Sequence, residues 1–246
     1  MDISYSIVIP AYNEEELLPA TLGAVDAAMT AADASGEVIV VDNNSTDATA
    51  RIAGERGARV VFEPVNQIAR ARNAGAAAAK GDILVFLDAD TILPPEVLQQ
   101  ALANMAAGGC CGGGALIHMD TASRPIARAL VRLWTWLSVR NRWAAGCFVY
   151  CSKDGFDAAG GFTEKVYVSE EIWFSRSLGK WGRGRGLAFK IITAPHVRTS
   201  DRKLRDQPLR LFFTSLVLLF FPFAIRFRFF CGHWYRRPKK RGAADV

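Results

Sequence analysis

The chain has 246 residues, 50% of them hydrophobic, and a formal net charge of +6 at pH 7. This length accommodates one large α/β domain with a full core. The positive charge is concentrated at the C-terminal end, which argues against a nucleic-acid-binding protein. The five cysteines lack metal-site spacing, so we expect reduced thiols, as in a cytosolic protein. We also expect no signal peptide before the first strand.

Short apolar runs alternate with alanine-rich stretches through the first half of the chain. The apolar runs predict buried strands at residues 6–10, 38–41, 59–62 and 83–87. The stretches between them predict helices at residues 17–29, 48–56 and 69–79. Strands and helices that alternate in this way form βαβ units, so we predict a mainly parallel central sheet with helices on both faces.

Acidic or amide residues follow three of these strands. Asn13 and Glu14 come after the first strand, residues 42–47 end the second, and Asp88 and Asp90 follow the fourth. In open α/β sheets, ligands bind at the carboxyl ends of the strands. These residues therefore predict one binding site at that edge.

The pair Asp88 and Asp90 is the most informative feature of this edge. Alternate residues of an extended chain point the same way, so both carboxylates can reach one ligand. Two hard oxygen donors suit Mg²⁺ or Mn²⁺, which proteins hold with one or two carboxylates and substrate phosphates. The alternative interpretation is that Asp90 caps the next helix, with Pro94 and Pro95 just inside its start.

The second half of the chain continues the alternation. The glycine run 108–114 is expected to be a loop that leads into a strand at residues 115–119. We predict a strand at residues 145–150, a helix at residues 156–162 that ends at a glycine, and a last apolar strand at residues 187–192.

Four segments resemble the motifs of the family 2 glycosyltransferases and have the order and spacing of that family. They are IVIPAYNE (7–14), VVDNNSTD (40–47), ARARNAG (69–75) and FLDAD (86–90). The resemblance covers about residues 4–195 and implies the GT-A fold, that of the nucleotide-diphospho-sugar transferases. It divides the chain into a GT-A domain (1–200), with nucleotide-sugar and acceptor halves of about 1–92 and 93–200, and a membrane-associating apolar helix with a basic tail (201–246).

The resemblance also implies which residues bind the nucleotide sugar. They are Pro10, Ala11, Asn13, Glu14, Asp42, Asn44, Arg70, Asn73, Asp88 and Ala89. Either Arg70 or Arg72 is expected to offset the diphosphate charge, and we favour Arg70. Ordinary turn and cap chemistry is the alternative for Asn13 and Asn44.

The same resemblance implies the catalytic base and the metal ligands. Glu171 stands where the family has the acid that deprotonates the acceptor hydroxyl, and Glu170 is the second choice. Asp90 and Asp88 are the expected metal ligands, and His196 is a candidate third ligand. The alternatives are helix capping by Ser169 and the two glutamates, and a purely structural histidine.

An uncharged run of 15 residues, 211–225, precedes a strongly basic tail. As a helix it is about 22 Å long, which is shorter than the roughly 30 Å hydrocarbon core. A single crossing with the catalytic domain in the cytoplasm also puts the basic flank outside, against the positive-inside tendency. We expect an in-plane anchor on an anionic membrane surface, and the alternative is a helix packed on the protein's own core.

These expectations describe a metal-dependent, inverting glycosyltransferase at the cytoplasmic face of the membrane, peripheral or monotopic. It uses Mn²⁺ or Mg²⁺, takes a UDP- or GDP-sugar, and transfers the sugar to a glycan or lipid-linked acceptor. The alternative is an inactive GT-A-fold binding or scaffold protein, favoured by Asn43 and Glu171, where the family usually has aspartates. A nucleotidyltransferase or hydrolase is disfavoured, because residues 10–16 are acidic where such enzymes have a basic, glycine-rich phosphate loop.

Overall fold

The computed structural model describes residues 4–118, 132, 135–200 and 226, and the centre of that part is one eight-stranded sheet. Its strands are β1 (Ser4–Ala11), β2 (Ser35–Asp42), β3 (Arg59–Phe62), β4 (Ile83–Leu87), β5 (Thr91–Ile92), β6 (Cys110–His118), β7 (Phe148–Ser152) and β8 (Ala188–Thr199). Their order across the sheet is β3-β2-β1-β4-β7-β6-β8-β5.

Parallel pairing dominates this sheet, as predicted. β1 pairs in parallel with β2 and β4, β2 with β3, and β6 with β8. β7 runs antiparallel to β4 and β6, and β5 runs antiparallel to β8. The register places Ala11 beside Asp42, so the ends of β1 and β2 lie together. The polar residues that follow β1, β2 and β4 consequently meet at one edge.

Helices cover both faces of the sheet. They include α1 (Leu18–Ala31), α2 (Thr49–Glu55), α3 (Ile68–Ala78), α4 (Pro95–Ala106), α5 (Lys153–Ala159) and α6 (Glu170–Arg183), and residues 135–141 are also helical. Successive strand residues point to opposite faces. Ile7 and Ile9 therefore lie in one buried cluster with α1 and α4, while Val8 lies in the other with α3, α5 and α6.

The prediction of a loop over residues 108–114 is wrong beyond Gly109. Gly108 and Gly109 have positive φ angles of 69° and 67°, but the chain becomes a strand at Cys110. A Cβ on Gly113 would lie 1.8 Å from the carbonyl oxygen of Lys190. The glycines thus allow a close approach between neighbouring strands, which is a known reason for glycine inside a sheet.

This close approach predicts a large difference between two glycine-to-alanine substitutions. Gly113→Ala is expected to lower the free energy of unfolding by about 3 kcal/mol or more, because the new methyl group meets backbone that cannot move away. Gly23→Ala on α1 meets nothing within 4 Å and is expected to raise it by about 0.5–1 kcal/mol. Denaturant unfolding of both variants measures the two changes. Equal stability of the two variants would contradict the strand assignment.

Two other elements have bounds that differ from the predicted ones, for identifiable reasons. β8 continues past Ile192 to Thr199 because it pairs first with β6 and then with β5. α5 begins at Lys153, earlier than predicted, because the Ser152 hydroxyl caps it by accepting the Gly155 N–H at 3.1 Å. The predicted glycine stop of that helix is confirmed at Gly160, which has a left-handed conformation.

The expected membrane anchor lies outside the described residues. The apolar run 211–225 belongs to the ranges that the structure does not describe. Within the described ranges, none of the helices combines the length and apolarity needed to cross a bilayer.

Candidate active site

The loops after β1 and β2 are joined by hydrogen bonds to each other. The Asn13 side-chain oxygen accepts the Thr46 N–H at 2.8 Å, and the Asn13 N–H donates to the Ser45 hydroxyl at 3.0 Å. The Glu14 N–H donates to the Thr49 hydroxyl at 2.8 Å. The predicted nucleotide residues of these two strands therefore form one structural unit, next to the buried ends Pro10 and Ala11.

Asp42 and Asn44 differ in how far they are accessible. Asp42 is 7% exposed, and its carboxylate accepts the Ser45 N–H at 3.0 Å. Asn44 is exposed and has a φ of 66°, a left-handed conformation that asparagine tolerates better than most residues. Both residues lie at the predicted edge of the sheet, Asp42 as the last residue of β2 and Asn44 in the turn that follows.

The Asn43 side chain makes hydrogen bonds that an aspartate side chain could not make. Its side-chain NH₂ donates to the carbonyl oxygens of Glu63 and Val65, at 3.0 and 2.6 Å. Its side-chain oxygen accepts the Gln67 N–H at 2.9 Å. These bonds hold the loop between β3 and α3, so the departure from the family's usual aspartate is matched to the local backbone and does not favour the scaffold interpretation.

The bonds of Asn43 predict that Asn43→Asp destabilises the protein. The carboxylate would face two carbonyl oxygens in a buried place, and we expect a loss of about 2–4 kcal/mol in the free energy of unfolding. Asn44→Asp, one residue along and exposed, is the matched control and should change stability little. Thermal and denaturant unfolding would compare the free energies of unfolding of the two variants. Equal stability would mean that the hydrogen bonds of Asn43 do not stabilise the protein.

The acidic segment after β4 is anchored by its backbone. The Asp88 N–H donates to the Cys147 carbonyl at 3.2 Å, and the buried Thr21 hydroxyl donates to the Ala89 carbonyl at 2.9 Å. The Asp88 side chain is 27% exposed. Strand β5 separates Asp90 from α4, which begins at Pro95, so the interpretation of Asp90 as a helix cap is wrong.

The buried arginine Arg72, the second choice from the sequence for offsetting the diphosphate charge, lies at the centre of the site. Arg72 is 1% exposed; its Nη2 donates to Asp88 Oδ1 at 2.9 Å and to the Gly146 carbonyl at 2.7 Å. Its Nη1 donates to the Glu170 carboxylate. Helical spacing could have identified it, because Ala69 and Ala76, three residues before and four after, are also buried on α3.

The two glutamates at the start of α6 have different environments. Glu170 is 3% exposed and paired with Arg72, whereas Glu171 is only partly buried. A Cβ on Gly146 would lie 3.4 Å from Arg72 Nη2 and 3.5 Å from the Glu171 carboxyl carbon. Ser169 stands at the N-cap of α6 with both glutamates in the first turn, but its side chain makes no capping hydrogen bond.

Burial and neighbouring charges perturb the titration of these groups. Burial, followed by the adjacent Glu170 charge, raises the pKa of Glu171 to about 8 against the opposing effect of Arg72. Burial also raises the pKa of Glu170, an effect that Arg72 partly offsets. Burial alone would lower the pKa of Arg72, but Asp88, Glu170 and Glu171 raise it above its ordinary value.

Two other predicted residues of α3 contact the segment that leads to α6. Arg70 pairs with Glu63 and Glu164, at 3.0 Å each, and its side chain is 35% exposed. The Asn73 side chain exchanges hydrogen bonds of 2.9 Å with the N–H and C=O of Phe162. The structure therefore places both on the side of α3 that holds residues 162–164.

The structure does not bring His196 together with the two aspartates. The Ser200 N–H donates to the Asp90 carbonyl at 3.1 Å. His196 is four residues earlier on β8 and exposed, which is about 13 Å away along an extended strand. In the described ranges, no three His, Cys, Asp or Glu side chains form a group that could hold a metal ion.

Comparison with protein families identifies the chain. Residues 6–159 match the family described as Glycosyl transferase family 2. The chain belongs to this family. The prediction from the four motifs is thereby confirmed.

Several named proteins are similar to part of this chain. The chain is 41% identical over 103 residues to an uncharacterised glycosyltransferase of Mycobacterium tuberculosis, covering 42% of this chain and 44% of that protein. It is 39% identical over 111 residues to an undecaprenyl-phosphate 4-deoxy-4-formamido-L-arabinose transferase of Pseudomonas fluorescens, covering 42% and 32%. The matches thus span less than half the length of these relatives.

Solved structures confirm the GT-A fold. A mannosyltransferase of Pyrobaculum calidifontis in complex with GDP-Man and Mn²⁺ has a TM-score of 0.65 at 22% identity, covering 91% of this chain and 64% of that one. A glucosyl-3-phosphoglycerate synthase of Mycobacterium tuberculosis in complex with Mn²⁺ and UDP has a TM-score of 0.60 at 23% identity, covering 87% and 79%.

Proposed function

We propose that this chain transfers a sugar from a UDP- or GDP-sugar to an acceptor hydroxyl in a metal-dependent, inverting reaction. The observation that carries the proposal is the convergence of Asp88, Glu170 and Glu171 on Arg72 at the carboxyl ends of the parallel strands. Asp88, which is proposed to serve the donor, thereby lies near a carboxylate that can act as a base. The donors and metal of the solved relatives support the same reading.

The residues after β4 fit a divalent cation that binds together with the donor. Asp88 and Asp90 would hold it, because Mg²⁺ and Mn²⁺ are usually bound by one or two carboxylates and completed by substrate phosphates. A bound cation neutralises charge on the departing diphosphate. Two protein carboxylates alone give few ligands, so we expect tight metal binding only when a nucleotide diphosphate is present.

Glu171 is the better candidate for the general base. A base must reach the acceptor hydroxyl, and Glu170 is buried and held by Arg72, whereas Glu171 is partly exposed. Glu171 takes the proton from the acceptor hydroxyl. At the same time, the hydroxyl oxygen forms a bond to the anomeric carbon, and the bond from that carbon to the diphosphate breaks. Attack opposite the leaving group inverts that carbon in a single displacement.

The acceptor is proposed to be lipid-linked or to lie near a membrane. The support comes from the relative that is an undecaprenyl-phosphate transferase and from the apolar and basic C-terminal sequence.

We also propose that the chain divides into a donor half and an acceptor half near residue 92, and that the first domain ends near residue 200. The single sheet runs through both halves of the first domain.

Nucleotide titration followed by product analysis tests this function. Isothermal titration with UDP, GDP and other nucleoside diphosphates, with Mn²⁺ or with a chelator, should show metal-dependent binding of one nucleotide. The matching α-linked nucleotide sugar should then give a β-linked product, which the proton coupling at the anomeric carbon reports. Absence of binding to every nucleotide would favour the scaffold interpretation, and an α-linked product would exclude inversion.

A further inference from the structure

Arg72 connects two acids that belong to different parts of the proposed mechanism. Asp88 follows β4 on the donor side, and Glu170 begins α6 on the acceptor side. One guanidinium donates to both carboxylates and to the Gly146 carbonyl. Its carbon also lies 5.1 Å from the centre of the Phe162 ring, so packing limits where the group can move.

The geometry of the guanidinium matters for this connection. Arginine presents its N–H donors in a rigid, planar fork and can bind two carboxylates at fixed angles, whereas lysine is a point charge on a flexible stem. Arg72 is 1% exposed. Water therefore has little access to the guanidinium, and the positions of Asp88 and Glu170 depend on one another through this side chain.

The connection extends to the base, because Glu171 directly follows Glu170. Holding the Glu170 carboxylate fixes the first turn of α6, from which the Glu171 side chain leaves. A second bond supports that turn, since the Ser175 hydroxyl donates to the Glu171 carbonyl at 2.7 Å and accepts the Ala144 N–H at 3.1 Å. Arg72 Nη2 and the Glu171 carboxyl carbon both lie within 3.5 Å of the point where a Gly146 Cβ would be.

We propose that Arg72 is a positioning residue that sets the distance between the donor aspartate Asp88 and the base Glu171. This inference rests on the proposed function, since it assigns how that site is aligned for the displacement. Displacing a reacting group by about 1 Å can lower a rate about 100-fold. Loss of Arg72 should therefore slow the transfer step much more than it weakens nucleotide binding.

The experiment uses the full chain and two variants. Arg72→Lys keeps the charge and removes the fork. Arg72→Met with Glu170→Gln removes both charges, so that no unpaired acid is left at the buried position of Glu170, and Asp88 is 27% exposed to solvent. Arg51→Lys is the control, because Arg51 also pairs with a glutamate but is exposed on α2.

For both variants we expect kcat to fall about 100-fold or more, with the Kd for the nucleotide diphosphate and Mn²⁺ within about three-fold of wild type. Arg51→Lys should leave both quantities unchanged. Full kcat in Arg72→Lys would overturn the proposal, because charge alone would then suffice. Full kcat in the double variant, or equal losses of kcat and of nucleotide affinity, would overturn it as well.

The wild-type protein separates this failure from a failure of the proposed function. If wild type transfers no sugar from any donor, the function itself is wrong. If wild type is active and the variants retain its kcat, the proposed function stands and only the positioning role of Arg72 is wrong.

Discussion

Replacing Glu171 with glutamine is expected to abolish sugar transfer while nucleotide binding survives. Glutamine has nearly the same size but cannot accept the acceptor's proton, and loss of a general base typically lowers the rate by about 10²–10⁴-fold. The partner Glu170 cannot take over, because it is buried and bound to Arg72. Turnover with the cognate nucleotide sugar, measured beside the Kd for the nucleotide diphosphate, tests both parts of this expectation.

Glu55→Gln provides the control for this substitution. Glu55 is exposed on α2 and pairs only locally with Arg51, so the same chemical change there should leave turnover at the wild-type level. Turnover near wild type in Glu171→Gln would remove Glu171 from the base role.

The raised pKa of Glu171 adds a dependence on pH. The carboxyl group acts as a base only after it has lost its proton, and its pKa is raised to about 8 by burial and by the Glu170 charge. Turnover of the wild-type protein should therefore increase as the pH rises and level off above about 8. A profile that is flat between pH 6 and 9, at saturating substrates, would mean that another group accepts the proton.

Replacing Asp90 with alanine is expected to remove the metal dependence of nucleotide binding. With only two proposed carboxylate ligands, the loss of one leaves Asp88 and the diphosphate to hold the cation. The affinity for the nucleotide diphosphate in Mn²⁺ should therefore fall about 100-fold or more, because even the loss of a group that only supports a metal ligand lowers metal affinity about 10–100-fold. Titration calorimetry should then give the same Kd with Mn²⁺ as with a chelator.

Asp26→Asn is the matched control for the aspartate. Asp26 is exposed on α1, outside the site, so its replacement should keep the full effect of Mn²⁺ on nucleotide affinity. Retention of that effect in Asp90→Ala would show that the cation is held elsewhere, and the acids after β4 would need another role.

Local pattern was enough to predict the architecture of the donor half. The strands and helices from β1 to β4 lie within a few residues of their predicted places, since the apolar runs and alanine-rich stretches repeat with the period of the element they form. It was not enough for the glycine-rich part of β6. There, the need for glycine comes from the backbone of β8 and the side chain of Tyr150, which contact it from distant parts of the chain.

By itself, the sequence determined the family, the mainly parallel sheet, and the acids Asp88, Asp90, Glu170 and Glu171 as candidates, because these depend on short motifs and on residue order. Only the tertiary structure showed that Arg72 is buried among these acids while Arg70 is 35% exposed, and that Glu170 is buried while Glu171 is partly exposed. It also gave Asn43 its task as a hydrogen-bond donor to the next loop. The physical reason is that burial and pairing depend on residues 16 to 98 positions away along the chain, which packing brings together and local periodicity does not encode.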